Sequence, residues 1–311
     1  MKMEEASVRE LVLSYKNFVH AVAGASGSVV GLTAFYPLDT VRTRLQIDEK
    51  QKAKNTLVLV HQILKQEGLP SLYRGWLPVI SSLCCSNFVY FYVYNFLKVY
   101  FNAKKDASAV KDLVLGFASG VVNVLLTTPL WVANTRLKVQ GVKLQDQSEP
   151  DSKLPRYKGM IDCLTKVGRQ EGVRALWAGV LPSIVLVSNP ALQFMTYEFL
   201  KRMLRAKYKT EDLGGLWYFT AGALSKAVAT ILTYPMQVIQ TKQRLGKNNQ
   251  NGRKPGIMKS LQDLFRSSGF FGVYKGLEAK LLQTILMAAL MFLTYEKIVH
   301  FVFKLMGEHS K

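Results

Sequence analysis

Asp39, Arg42 and Arg44 follow Pro37 in quick order in the stretch YPLDTVRTRLQ (36–46), at the mouth of an apolar segment. Asp39 and Arg42 stand three apart and share a helical face. Such a trio suits ion pairing with groups brought to it, not bond-breaking chemistry. Two more bases, Lys226 and Lys280, lie within otherwise apolar runs, with Glu278 beside the second. Ionisable groups at membrane depth are expensive and mark functional positions, and an ammonium there attracts phosphate as a point charge. Covalent catalysis is not indicated: His20, His61, His300 and His309 are scattered, and no nucleophile stands near a base. Cys84, Cys85 and Cys163 lack a metal-ligand spacing, and the adjacent pair reads as small apolar filler.

The elements that position these residues are membrane helices. Residues 75–97 and 114–134 carry no charge, and runs of about 20 apolar residues match a bilayer core. Further spans are expected at 17–38, 178–197, 213–241 and 277–303, six in all. A mean hydropathy of +0.09 is low for such a protein, because long charged loops separate the spans. The net charge of +20 sits in those loops beside apolar segments. That placement favours anionic lipid headgroups or an anionic solute over nucleic acid. The mixed-charge N-terminus is expected to be neither a secretory signal nor a mitochondrial presequence.

A threefold repeat organises the chain. Aligning Pro37, Pro129 and Pro235 brings Gly24, Gly116 and Gly222 into register, and also Gly27, Ser119 and Ser225. Downstream, EGLPSLYRG (67–75), EGVRALWAG (171–179) and SGFFGVYKG (268–276) agree in spacing, as do YNFLK (94–98), YEFLK (197–201) and YEKIV (295–299). Three tandem units are expected, at 1–106, 107–209 and 210–311. Each holds two membrane helices joined by a basic loop with a short amphipathic surface helix, such as 56–67 or 160–171. The small residues let helices approach closely in lipid. Each proline removes one helical hydrogen bond, and the kink leans three helix ends toward a common axis.

These motifs resemble the mitochondrial carrier family over nearly the whole chain. Its signature, Pro-x-[Asp/Glu]-x-x-[Lys/Arg]-x-[Lys/Arg] followed by a Gly-aromatic-[Lys/Arg]-Gly element, is complete in repeat one at Pro37, Asp39, Arg42, Arg44 and then Tyr73-Arg74-Gly75. The resemblance implies an all-α membrane protein of six tilted helices around a water-filled cavity, with one site exposed alternately to either side. It also implies a matrix-side gate of acids and bases paired around the ring. Repeat two departs with Trp131 and Asn134, and repeat three with Gln237 and Gln240. Neighbour pairing would set Asp39 against Asn134, Trp131 against Gln240 and Gln237 against Arg42. No complete ion pair would remain, and the gate would close weakly. A cytosolic-side gate is implied at Asn95 with Lys98, Glu198 with Lys201, and Glu296, with Lys98 facing Glu296.

The family's contact positions fall on Ser82, Val185, Leu186 and Gln283, none of them charged, with Asn87, Asn189 and Gln193 adding amides. Lys226 and Lys280 would take phosphates, amides can read a base edge, and Val185 and Leu186 can lie against its face. Each amide read alone is as readily a helix–helix hydrogen bond. Stretches such as 73–92 and 274–293 are most similar to family members that carry CoA, FAD, NAD and adenine nucleotides across the peroxisomal membrane. The resemblance therefore implies exchange of CoA, FAD, FMN, NAD and AMP or ADP as transported substrates, with no prosthetic group. It implies a working monomer inserted by the peroxisomal membrane-protein import machinery. The alternatives are a nucleotide carrier of the mitochondrial inner membrane and a proton leak on the same fold, for which Glu278 is the one lumenal carboxylate candidate. A membrane enzyme is disfavoured.

Overall fold

The structure, a computed structural model, describes residues 29–47, 56–102, 109–140, 157–208, 215–246, 256–287 and 289–290, and among them no strand occurs. In the first unit a helix at 29–34 breaks at Phe35 and resumes as α1 (Tyr36–Ile47). There follow the surface helix α2 (Thr56–Glu67), the short α3 (Leu69–Leu72) and the long α4 (Trp76–Asn102). The second unit holds α5 (Ala109–Val139), α6 (Met160–Gln170), a 3-10 turn (Val173–Trp177), α7 (Val180–Leu186) and α8 (Asn189–Tyr208). The third holds α9 (Gly215–Arg244), α10 (Ile257–Val273) and a helix from residue 277.

Among the described residues, three stretches are long and apolar enough to cross a membrane: Leu69–Phe101, Lys111–Val139 and Val173–Tyr208. The 30 residues of α9 reach about 45 Å, but Lys226 and a polar last turn dilute their hydropathy. The expected spans at 17–38 and 277–303 lie largely outside the described residues. Neighbouring spans pack in antiparallel pairs, α4 along α5 and α8 along α9. Gly120 permits one close crossing: a Cβ there would collide with the Val187 side chain. Gly222 has no described residue near its would-be Cβ, so the packing role read for it is not seen. Cys84 and Cys85 also differ from expectation. Both are exposed on α4 and fill no interior gap.

The prolines are accommodated rather than excluded. Pro129 and Pro235 lie inside α5 and α9. Pro129 has no N–H to give the Leu125 carbonyl, and the Trp177 indole Nε1 donates to that oxygen at 2.8 Å instead. Near Pro37, Trp76 Nε1 donates to Thr33 Oγ1 at 3.0 Å. In the second unit, Pro190 lies just beyond the interruption between α7 and α8 and frees the Leu186 carbonyl in the same way.

Each surface helix buries its apolar stripe against the end of its own unit's first helix. Leu59 and Ile63 of α2 pack on Val41 and Leu45, Cys163 and Val167 of α6 on Ala133 and Leu137, and Leu264 of α10 on Val238 and Ile239. Burial pushes the Cys163 thiol up to about 11, so it serves as an apolar filler rather than a thiolate. Two clamps tighten this packing. Arg44 holds Glu67 through Nη1 at 2.7 Å and Nη2 at 2.9 Å, and Arg136 holds Glu171 in the same two-pronged way. The third unit has Ser268 in the acid's place.

Burial alone would raise the Glu67 carboxyl, but hydrogen bonds from Arg44 and Ser71 outweigh it and hold the group below its ordinary value. A depressed carboxylate contributes stability that is complete above its unfolded value and fades as pH falls through the folded one. Glu67→Gln is therefore expected to lower the unfolding temperature at pH 7 and to make less difference under acid. A shift unchanged by pH would assign Glu67 a packing role alone.

Candidate functional site

The first helices of the three units converge at their signature ends, and there a ring forms. Arg42 Nη2 donates to Gln237 Oε1 at 2.9 Å, the cross-unit pair expected for these positions. The other two links differ from expectation. Asp39 does not turn to Asn134; it forms an ion pair with Lys138 Nζ, while Arg42 Nη1 stands 3.4 Å from its other oxygen. Trp131 does not turn to Gln240; the Arg244 guanidinium lies 5.9 Å from its ring centroid. Lys138 follows Asn134 by four residues and Arg244 follows Gln240 by four, one helical turn along the same face. In two units of three, then, the base has moved one turn toward the helix end. Between units the ring makes an ion pair, a charged hydrogen bond and a cation–π contact, and Arg42 adds a second ion pair to Asp39 within unit one, so the expectation of a ring without an ion pair is overturned.

The displaced positions have other uses. Gln240 Nε2 donates to Ser183 Oγ at 2.6 Å, tying α9 to α7. Asn134 is buried, and neither atom of its amide has a partner among the described residues. In unit one the residue a turn beyond Arg42 is Gln46. It donates to Tyr234 Oη at 3.2 Å and accepts from Thr241 Oγ1 at 2.9 Å. Lys138 also stands 5.0 Å from the Tyr36 ring centroid, so its ammonium is enclosed between a carboxylate and an aromatic face.

A second threefold contact surrounds the ring. Gly75, Gly179 and Gly276 all hold φ near +80°, a region that L side chains enter at a cost. A Cβ on Gly75 would meet Lys138 Cα at 3.3 Å, one on Gly179 the Gln240 carbonyl at 3.1 Å, and one on Gly276 the Arg42 carbonyl at 3.2 Å. Each unit's glycine element is thus pressed against the first helix of the next, in cyclic order. The Tyr36 hydroxyl donates to the Arg74 carbonyl at 3.1 Å and the Tyr234 hydroxyl to the Lys275 carbonyl at 2.7 Å, fixing two of these turns from within.

At the opposite end no comparable ring is seen among the described residues. Lys201 pairs with Glu198 on its own helix at 3.5 Å, and Lys98 stands 3.8 Å from Asp112 of α5. Asn95 is exposed. Glu296, the expected partner of Lys98, lies outside the described residues.

Lys280 stands in the electrostatic neighbourhood of Arg42, Asp39, Lys226 and Lys138. Lys280 is thus coupled to the ring's charges and to Lys226, the other lysine read as a phosphate receptor, which lies about three helical turns before Gln237 on α9. Among the described residues neither makes an ion pair. Beside the ring is a cavity of about 310 Å³, bordered by Trp131, Leu186, Gln240, Arg244, Asn123 and Ser86 among others. Ser86 and Asn123 hydrogen-bond across α4 and α5, with Asn123 Nδ2 donating to Ser86 Oγ at 3.0 Å.

The expected contact positions divide. Leu186 borders the cavity, while Val185 is exposed and is not among its walls. Ser82 and Gln283 are buried, and Ser82 Oγ and Gln283 Oε1 have no partner among the described residues. Asn87 is exposed beside Ser86, so the residue that reaches α5 is Ser86. Asn189 is half-buried at the start of α8 and does not border the cavity. Sequence reasoning missed Lys138, Arg244, Ser86 and Asn123. The four-residue spacing from Asn134 and Gln240 was the available signal for the first two.

Known proteins match this sequence along most of its length. The family described as "Mitochondrial carrier protein" matches residues 14–105, 105–208 and 212–305. The peroxisomal membrane protein PMP34 of Mus musculus is 53% identical over 305 residues, covering 96% of this chain and 98% of that protein. The peroxisomal nicotinamide adenine dinucleotide carrier of Arabidopsis thaliana is 31% identical, over 90% of this chain and 95% of its own. The peroxisomal adenine nucleotide carrier 1 of Glycine max is 29% identical, over 91% of each. With each of its three units matched and its relatives aligned along nearly their full length, this chain belongs to the mitochondrial carrier family and has that family's three-repeat, six-helix membrane fold.

Proposed function

We propose that the protein exchanges nucleotide-type cofactors across the peroxisomal membrane by alternating access. CoA, FAD, FMN, NAD and AMP or ADP are the candidate solutes. The observation that carries this reading is a cavity at the ring whose wall combines Trp131 and Leu186 with Asn123, Gln240 and the Arg244 guanidinium, with Lys280 coupled electrostatically to the ring charges and to Lys226. Clustered ammonium groups suit phosphates, while an apolar wall set with amides suits a nucleobase. The names of the relatives support NAD and adenine nucleotides as solutes and the peroxisome as location. On this reading the ring at the signature ends is the gate closed in this structure, and Lys98, Glu198, Lys201 and Glu296 belong to the gate that closes in the other state.

The test is uptake of labelled CoA, FAD, NAD, AMP and ATP into liposomes holding the full chain. Saturable uptake, accelerated by internal nucleotide, is expected. Lys280→Ala and Lys226→Ala should each reduce it by about tenfold or more, as loss of a charged hydrogen bond to phosphate does. Uptake of none of these solutes, or uptake indifferent to both substitutions, would overturn the proposal.

A further inference from the structure

The three links of the ring are unequal. Lys138 has the Asp39 carboxylate, and Arg42 has both Asp39 and the Gln237 amide. Arg244 has no carboxylate among the described residues. Its Nη2 stands 3.3 Å from Ser183 Oγ, its buried Nε has no partner among the described residues, and its charge is repelled by that of Arg42. A guanidinium offers five donors, more than these contacts use. Its main companion is the indole of Trp131, a contact worth far less than a two-pronged phosphate bond. Both residues border the cavity.

We propose that Trp131 and Arg244 form a latch that the solute itself opens. This rests on the exchanger reading above. A nucleotide entering the cavity offers its phosphate to Arg244, the guanidinium leaves the indole, and the vacated face takes the base. The 5.9 Å between guanidinium and ring centroid suits this exchange, because base and 5′-phosphate of one nucleotide are separated by a comparable distance. An ordinary acid at position 131 would hold Arg244 against the solute. Tryptophan holds it only until a phosphate arrives, so one third of the gate dissolves when a nucleotide binds and re-forms when the cavity empties.

Two measurements on the full chain decide this. The protein contains four tryptophans, so fluorinated tryptophan gives four resolvable fluorine signals, with the Trp131 signal assigned by its loss in Trp131→Phe. AMP should shift that signal, and ribose 5-phosphate should not reproduce the AMP-bound position. In liposomes, Trp131→Leu should raise KM for AMP by about tenfold, the effect of losing one stacking platform. It should also raise one-way efflux into nucleotide-free buffer relative to exchange, because the empty carrier is no longer latched. A wall residue with only a packing role would lower stability without changing that ratio. AMP exchange with an unmoved Trp131 signal, or an unchanged KM in Trp131→Leu, overturns the latch and leaves the exchanger standing. Exchange of no nucleotide by the parent chain overturns both. Should Trp131→Leu fail to fold, the fluorine signal of the parent protein decides alone.

Discussion

Lys138→Ala is expected to destabilise the closed state by about 3 kcal/mol, the low end for breaking a buried ion pair, because Arg42 still faces the orphaned Asp39. The gate should then leak. One-way efflux of preloaded nucleotide should rise and the unfolding temperature should fall. Position 134 lies one turn back on the same face and presents a buried amide without a partner. Adding Asn134→Lys to Lys138→Ala should therefore recover most of the lost closure by returning the base to the family's usual place. Asn134→Lys alone should gain little, since it sets a second ammonium against a carboxylate already paired. If the double variant leaks as much as Lys138→Ala, the register of the base is not what matters, and Lys138 acts through its packing on Tyr36.

Gly276→Ala should be nearly as damaging, and the contrast with Gly172→Ala shows why. Both glycines hold positive φ, +81° and +88°, so both substitutions carry a strain of about 1–2 kcal/mol. At Gly172 no described residue lies within 4 Å of the new carbon, whereas at Gly276 it meets Tyr234 Oη at 3.0 Å and the Arg42 carbonyl at 3.2 Å. Backbone cannot step aside as a flexible side chain can. Gly276→Ala should add an overpacking penalty of roughly 1–3 kcal/mol, applied only when the ring is shut. Its exchange rate should fall several-fold, with the resting state shifted away from signature-end closure as read by cysteine accessibility in the cavity. Equal effects of the two substitutions would mean that the close approach carries no weight.

The sequence made the architecture legible through repetition. Three prolines, three elements of glycine, aromatic and glycine in fixed spacing, and uncharged runs at 75–97 and 114–134 carried that reading, and the structure places Pro37 just after the break at Phe35, Pro129 and Pro235 inside long helices, the later glycines in turns and the uncharged runs along α4 and α5. The ring was legible only in part. Gln237 meeting Arg42 followed from the pairing of neighbouring units that the family resemblance implies. Lys138 and Arg244 did not, because counting from the proline fixes a slot in a pattern, while pairing is decided by the face of a helix, on which residues four apart are equivalent. Ser86 rather than Asn87 reaching Asn123 is a rotation of one residue, about 100°, that an apolar helix with little amphipathic contrast does not reveal. The second gate was the least legible, since its charges are spaced for pairing within a helix as well as between helices, as Glu198 and Lys201 show.

The moved bases also set how far their side chains must reach. Four residues of helix are about 6 Å, so Lys138 springs from a point about 6 Å further along its helix than position 134, yet its ammonium and the Arg42 guanidinium meet on the one Asp39 carboxylate. A long unbranched stem spans that gap, with its charged end near the Tyr36 ring. A shorter base at position 138 would fall short of Asp39, so side-chain length is specified there as strictly as charge.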